Sequence, residues 1–351
     1  SYEATATEEA VRPRDERPAE PAAFFARHSS GVAVAPDGQA YLFGPEGGAD
    51  RRPSLQAPAG PRVPAWPALQ ALPVAIRDSL DEGAHARLVE RIRRAIRDGD
   101  VYQVNLTRAF EAATAVDAGE LYRSLTAPRA PQSSAFLRGE GWAIVSASPE
   151  VLLRFDRRSG IATSLPIKGT VRRQGDDPAE IAALLASDKD GAEHLMIVDV
   201  VRNDFGKIAP AGRVSVSEFR AIRTLDYVHH LESTVRAEGL VDASVADVLA
   251  ALSPAASITG APKRAATHLI RDLEPVARGV YCGTIGFLDG AGARMSVAIR
   301  TAVVTAQSVR YHAGGGIVWD SDADAEDQEC HDKAAPFFRF LREGGLSSTS
   351  R

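Results

Sequence analysis

The sequence predicts an α+β fold, and three observations predict it. Segments that read as strands cluster toward both ends of the chain, helix-like segments lie between and after them, and no regular βαβ alternation links the two kinds. At 351 residues, 44% hydrophobic and 25% charged, the chain can bury a sizeable core in one large domain or two smaller ones.

Eleven of the 21 prolines precede residue 75, and "EEAVRPRDERPAEP" carries the dense charge and low hydrophobicity of a segment that does not order itself. Residues 1–20 are therefore expected to be a disordered tail, residues 21–74 a short strand-rich region, residues 75–342 the main body and residues 343–351 a second tail. "GVAVAPDGQAYLFGP" reads as two short strands around Asp37-Gly38, a hairpin signal. In "SLDEGAHARLVERIRRAIRDGD", Leu88, Ile92 and Ile96 recur four apart and Gly99 follows, which predicts an amphipathic helix with a glycine stop. "VYQVNLTRAF" and "GWAIVSASPEVLLRF" read as strands. "GVYCGTIGFLDGAGARMSVAIRTAVV" reads as a second hairpin, around Asp289-Gly290.

A net charge of -5 with no basic tract argues against nucleic-acid or anionic-membrane partners. Cys282 and Cys330 form neither a disulfide framework nor a metal-ligand spacing, and read as packed thiols in a reducing compartment. No apolar run reaches a membrane span and no signal-peptide core is present, so the cytoplasm is the expected location.

Lysine is scarce: five of the 41 basic residues, at 168, 189, 207, 263 and 333. Arginine stays protonated, whereas a desolvated lysine can lose its proton and act as a base or nucleophile. Lys168, between strand-like residues and a Gly-Thr turn in "SLPIKGT", is thus a candidate for chemistry.

Two helix-like segments carry acids three residues apart. Ser187 can cap a helix bearing Asp190 and Glu193, and the matching pair is Glu326 and Glu329 in "DADAEDQECHDKAAPFFRFL". Two such faces across a cleft would suit magnesium, although acids in a first turn also simply complement the helix dipole. "SITGAPKRAATHLIRDLEP" places Gly, Pro and Lys at a helix start, a potential anion site, and "YHAGGGIVWD" offers three bare glycines after a strand. Walker and GxGxxG spacings are absent, which removes the usual ATP and NAD readings.

In order, "GDVYQVN", "SASPE", "PIKGT", "EHLMIVDVVRNDFG", "SITGAPK", "YCGTIGF", "AIRTAVV" and "AGGGIV" resemble the chorismate-utilising enzymes over residues 75–342. Within them the pattern resembles the aminodeoxychorismate synthase component I type, sister to anthranilate synthase component I. Lys168 is the main discriminator, since the anthranilate enzymes typically carry Ala in "PI-x-GT". The resemblance implies an anthranilate synthase component I-like fold, two antiparallel-rich sheets forming a sandwich with helices packed outside.

It also implies roles. Glu193 and Glu329 match magnesium carboxylates, with Asp190 and Glu326 as their partners. Tyr281, Arg300, Gly314, Gly316 and Lys333 match substrate-gripping positions, and Thr259, Gly260 and Lys263 belong to the helix-start anion site. His230 matches an active-site histidine, Glu150 an acid/base glutamate, and Lys168 a nucleophile that attacks ring carbon 2 of chorismate. The implied reaction joins chorismate and ammonia to give 4-amino-4-deoxychorismate, for para-aminobenzoate and folate or for a secondary metabolite. Ammonia would come from a glutamine amidotransferase subunit, because no nucleophilic-cysteine motif is present here. Anthranilate formation, another chorismate conversion and a silent amidotransferase-docking subunit are the alternatives. Three features depart from the family pattern: the short region before residue 75, which leaves any regulatory amino-acid pocket in doubt, the alanines of "SPAASITG", and Pro336, expected to kink the last helix.

Overall fold

The structure, a computed structural model, describes residues 31–34, 40–43, 74–127, 130–225 and 228–343. The strands β1 (Gly31–Val34) and β2 (Ala40–Phe43) pair antiparallel, Gly31 opposite Phe43, as the hairpin expected around Asp37-Gly38 requires. They lie in a unit of their own, distinct from the unit that holds every other element. The tails expected at residues 1–20 and beyond Glu343 fall outside the described residues.

The second unit begins with β3 (Ile76–Asp78), α1 (Ala84–Arg97), β4 (Gln103–Ala112) and α2 (Ala118–Thr126). Five strands follow: β5 (Ser133–Gly139), β6 (Trp142–Ser148), β7 (Val151–Asp156), β8 (Ile161–Leu165) and β9 (Ile167–Arg172). The helices α3 (Asp177–Ala186) and α4 (Asp188–Gly206) lead into β10 (Val214–Thr224) and β11 (Val228–Ala237). Next come α5 (Val245–Leu252), the short β12 (Gly260–Ala261) and α6 (Lys263–Leu273). The chain closes with β13 (Thr284–Leu288), β14 (Gly292–Val297), β15 (Thr301–Thr305), β16 (Val309–Ile317) and α7 (Ala323–Glu343).

These strands form two seven-stranded antiparallel sheets. One runs β12-β4-β16-β15-β6-β5 with β3 also on β4, and the other runs β10-β11-β8-β7-β14-β13 with β9 also on β11. The predicted hairpin around Asp289-Gly290 is β13–β14, Leu288 opposite Ala293. The predicted face of α1 is rotated slightly: His85, Val89 and Ile92 are buried, with Leu88 and Ile96 packed at the margin. The glycine run of "YHAGGGIVWD" does not follow a strand. Gly314, Gly315 and Gly316 are inside β16, opposite Thr107, Leu106 and Asn105.

One apolar cluster joins the two sheets to α1, α4, α5 and α6, through residues such as Ile92, Leu106, Leu153, Ile197, Val235 and Leu252. A second cluster packs α2 and α7 against the first sheet, around Leu121, Tyr311 and Phe337. The helix α7 continues through Pro336, because Phe337, Phe340 and Leu341 beyond it are buried and anchor its last turns despite the lost N–H. Among the described residues no helix is long and apolar enough to cross a membrane.

A buried ion pair ties α6 to β4. Arg278 donates to Glu274 at 2.7 and 2.9 Å, and also to the carbonyls of Ile258 and Asn105, while Glu274 accepts from the N–H and hydroxyl of Thr107. Both side chains are almost fully buried. Glu274→Gln keeps the shape and removes the counter-charge, so it is expected to destabilise the fold by about 3 kcal/mol, measured by denaturant unfolding.

Candidate active site

The site is built where β9, α4, α7 and β16 converge. In β9, Thr170 pairs with His230 and Lys168 with Leu231, so Gly169 is an extra residue with no partner of its own in β11. It sits at φ +78°, the left-handed conformation that marks a glycine bulge. The "Gly-Thr turn" of the sequence is therefore a bulge within a strand. It delivers the Lys168 ammonium to Glu193, with Nζ 3.1 Å from Oε2.

Ser187 caps α4 as expected, accepting from the Asp190 N–H at 3.2 Å. The first turns of α4 then present Asp190 beside Gly169 and Glu193 beside Lys168. At the start of α7, Glu326 is buried, accepts from the Ser321 hydroxyl at 2.7 Å and lies 3.7 Å from Lys189, while its Oε2 has no hydrogen-bond partner. Glu329 is half exposed and meets Lys333 at 2.5 Å, and Lys333 also donates to the Gly314 carbonyl at 2.8 Å. Burial raises the Glu326 carboxyl above its ordinary pKa, and repulsion from Glu329 and Glu193 adds to this. Partial desolvation works to raise Glu329 as well, but Lys333, with Lys168 and Lys189 behind it, holds it below its ordinary value.

Bare backbone is what lets these groups meet. A Cβ on Gly315 would stand 3.1 Å from Glu326 Oε2 and 3.5 Å from Glu329 Oε1, and one on Gly316 would stand 2.5 Å from Lys168 Nζ. Glycine here makes room for side chains from α7 and β9.

Glu150, in the connection between β6 and β7, is buried and accepts from the Ser257 hydroxyl at 2.6 Å. Burial pushes its pKa up to about 7, with the Ser257 bond and the charge of Lys168 opposing the rise and Glu232 adding to it. His230 is buried, with Nδ1 3.1 Å from the Thr170 hydroxyl and Nε2 lacking a hydrogen-bond partner. Burial, then the charges of Arg300 and His229, push it down to about 3, so the ring is neutral at physiological pH. Arg300 itself holds φ at +48°, a left-handed backbone unusual for a residue with a side chain.

The other expected substrate residues are spent inside the fold. Lys263 Nζ lies 2.5 Å from the buried Asp204 carboxylate and also donates to the Leu252 carbonyl, joining α6 to α4 and α5. Thr259 is fully buried and its hydroxyl donates to the Ala255 carbonyl at 2.8 Å. Gly260, at φ +144°, packs so closely on the Gln103 carbonyl that a side chain would not fit. Tyr281 is buried and stacks on His312, ring centroids 5.2 Å apart. The ammonium of the helix-start motif is engaged by Asp204.

Residues 1–339 match the family of the chorismate binding enzymes. The chain belongs to this family. It is 39% identical over 281 residues to aminodeoxychorismate synthase component 1 of Klebsiella aerogenes, a match spanning 77% of this chain and 62% of that protein. It is 37% identical over 290 residues to anthranilate synthase component 1 of Arthrobacter globiformis, spanning 80% and 54% of the two chains. The solved anthranilate synthase component I of Streptococcus pneumoniae superposes with a TM-score of 0.69 at 35% identity, over 76% of this chain and 60% of that one. The chain thus spans little more than half the length of the curated relatives it matches. The likeness bears out the anthranilate synthase component I-like fold of two antiparallel sheets with flanking helices.

In this chorismate binding enzyme, Glu193, Glu326 and Glu329 each offer carboxylate oxygens, the class of hard donor that suits magnesium. The unpartnered, buried Oε2 of Glu326 is one such donor available in place. Sequence reasoning missed Gln103 although it quoted "GDVYQVN". This residue is fully buried, neither amide atom has a hydrogen-bond partner, and its Nε2 lies beside Gly316 as Lys168 does. Ser257 and Glu232, which set the Glu150 environment, were missed too. A polar residue at an inward strand position was the available signal for Gln103 and Glu232.

Proposed function

We propose that the chain is the chorismate-aminating component of an aminodeoxychorismate synthase. The observation that carries this reading is the placement of Lys168 among the Glu193 carboxylate, the bare backbone of Gly316 and the buried acid Glu150. The similarity to the Klebsiella aerogenes protein supports it.

Glu193 and Glu329 would hold magnesium, with Asp190 and Glu326 close behind, and the ion when bound would supply a positive anchor for the ring carboxylate of chorismate. Arg300 and the backbone of β16 at Gly314 and Gly316 would receive the substrate's carboxylates, and Lys333 donates to the Gly314 carbonyl. Glu150 gives its proton to the hydroxyl on ring carbon 4, which leaves as water. The Lys168 ammonium, parted from Glu193, loses one proton to solvent, and the neutral amine bonds to ring carbon 2 as both ring double bonds shift toward carbon 4 and expel its protonated hydroxyl. Ammonia then bonds to carbon 4 and the carbon–nitrogen bond to Lys168 breaks, so the lysine is regenerated and the enolpyruvyl group is retained. Ammonia is assigned to a glutamine amidotransferase subunit, with which this chain would form a heterodimer.

Anthranilate formation is the second reading, favoured by the 3.1 Å ion pair: a lysine that only balances Glu193 would do no covalent chemistry. Incubation of the chain with chorismate, magnesium and ammonium salt, with products identified by mass, distinguishes the two. The expected product retains the pyruvyl carbons and carries nitrogen, and a product lacking pyruvate would assign anthranilate formation.

The pH profile tests Glu150. A general acid must be protonated, so kcat/KM is expected to fall as pH rises through about 7, the value to which burial moves this carboxyl. Glu150→Gln should lower the rate by roughly 10²–10⁴-fold and remove that alkaline limb. The same shift has a stability sign. The folded state keeps this proton where the unfolded chain has lost it, so between pH 4.5 and about 7 this group's contribution to stability decreases as pH rises.

A further inference from the structure

The structure assigns a second cation site, outside the magnesium carboxylates, to Asp177, Glu180 and His229. Asp177 and Glu180 lie three apart in the first turns of α3, and His229 is the neighbour of His230 in β11. Their ligand atoms all fall within 4.8 Å of one another. His229 is fully buried and its Nε2 has no hydrogen-bond partner, yet it is aimed between two carboxylates, 3.3 Å from Asp177 Oδ1 and 3.6 Å from Glu180 Oε2. Glu180 Oε2 is likewise buried without a partner.

The distances and donors point to one class of ion. Bonds of 2.0–2.1 Å at tetrahedral angles place neighbouring ligands about 3.3 Å apart, close to both separations from the ring nitrogen. An imidazole with two carboxylates suits zinc and its neighbours in the first transition row, whereas magnesium prefers oxygen alone.

Each ligand is also held from behind. His229 Nδ1 lies 2.8 Å from the Thr224 hydroxyl, which directs Nε2 inward. Glu180 Oε1 accepts from the Gln174 N–H at 2.6 Å, leaving Oε2 for the site. Asp177 is gripped by Arg173, through Nη2 to Oδ2 at 2.7 Å and Nε to Oδ1 at 2.9 Å. Such outer hydrogen bonds orient metal ligands in general. Asp177 is partly exposed, so solvent reaches the trio and water can complete the tetrahedron. We infer that a zinc-class divalent ion is bound here by Asp177, Glu180 and His229, pinning α3 to the strand that carries His230.

The test uses the tag-free full chain after metal removal, titrated with Co²⁺ as a spectroscopic probe and then with Zn²⁺. One equivalent of Co²⁺ should give the intense visible bands of tetrahedral cobalt, Zn²⁺ should displace it, and excess Mg²⁺ should not. Glu180→Gln and Asp177→Asn should weaken Co²⁺ binding by at least roughly tenfold, with unfolding midpoints in chelator matching the parent chain. Glu193→Gln should leave Co²⁺ binding unchanged. The site is overturned if no tetrahedral bands form, which would make the trio a proton-bridged ion pair. Binding that survives both α3 substitutions at full strength, or that is lost with Glu193→Gln, overturns it as well.

Discussion

Lys168→Arg is expected to lose at least roughly a thousandfold in turnover of chorismate with ammonia, the scale on which loss of a nucleophile falls. Guanidinium keeps the charge facing Glu193 but cannot become a neutral amine. Lys168→Ala should fail equally for want of any amine. A lysine that served only as a counter-charge predicts a different pattern: arginine would retain most of the activity, and alanine would mainly raise KM. Wild-type enzyme given chorismate and magnesium without ammonia should also yield an adduct on the peptide bearing Lys168, found by mass spectrometry. An active arginine variant would refute the nucleophile and favour anthranilate formation.

Glu193→Gln and Glu329→Gln are each expected to abolish turnover, by roughly a thousandfold or more, with little change in the unfolding midpoint. Loss of a charged oxygen ligand weakens any magnesium site that keeps few protein ligands. The fold should tolerate both changes. Glu329 is half exposed, and Glu193 loses only its pairing with Lys168. Undiminished activity in either variant, or in excess chelator, would remove magnesium from the proposal. Calorimetric titration with Mg²⁺ and a chorismate analogue separates lost ion binding from lost chemistry.

Much of this architecture was legible because the relevant signals are local. Ser187 three residues before Asp190, Asp37-Gly38 and Asp289-Gly290 between apolar runs, and acids three apart on α4 and α7 each state their geometry within a few residues. The ordered motifs that carry Lys168, Glu150, Glu193 and Glu329 could be read for the same reason. Partners across the fold could not. Lys263 and Asp204 are 59 positions apart, and nothing in "SITGAPK" says that its ammonium faces a buried carboxylate rather than a ligand. Thr259 and Tyr281 belong to the packed interior, which residue type alone does not disclose. The glycine run was misplaced because glycine signals a turn more often than a strand interior, and here close approach by Lys168, Glu326 and Glu329 outweighs that preference.

The bulge at Gly169 gives this region a parity. Residues paired across two strands share a face, so Lys168 stands with Leu231 and Thr170 with His230, although residues two apart in an unbroken strand would stand together. The odd residue between them is what separates the amine's side from the histidine's side. Substitutions around the bulge change the site by degrees, through strain or lost contacts. Deleting one residue there is discrete, because it inverts which way everything before it points and turns the lysine away from Glu193 while every remaining side chain keeps its identity. Drift in side-chain identity is therefore permitted along this stretch, while its length is fixed by counting.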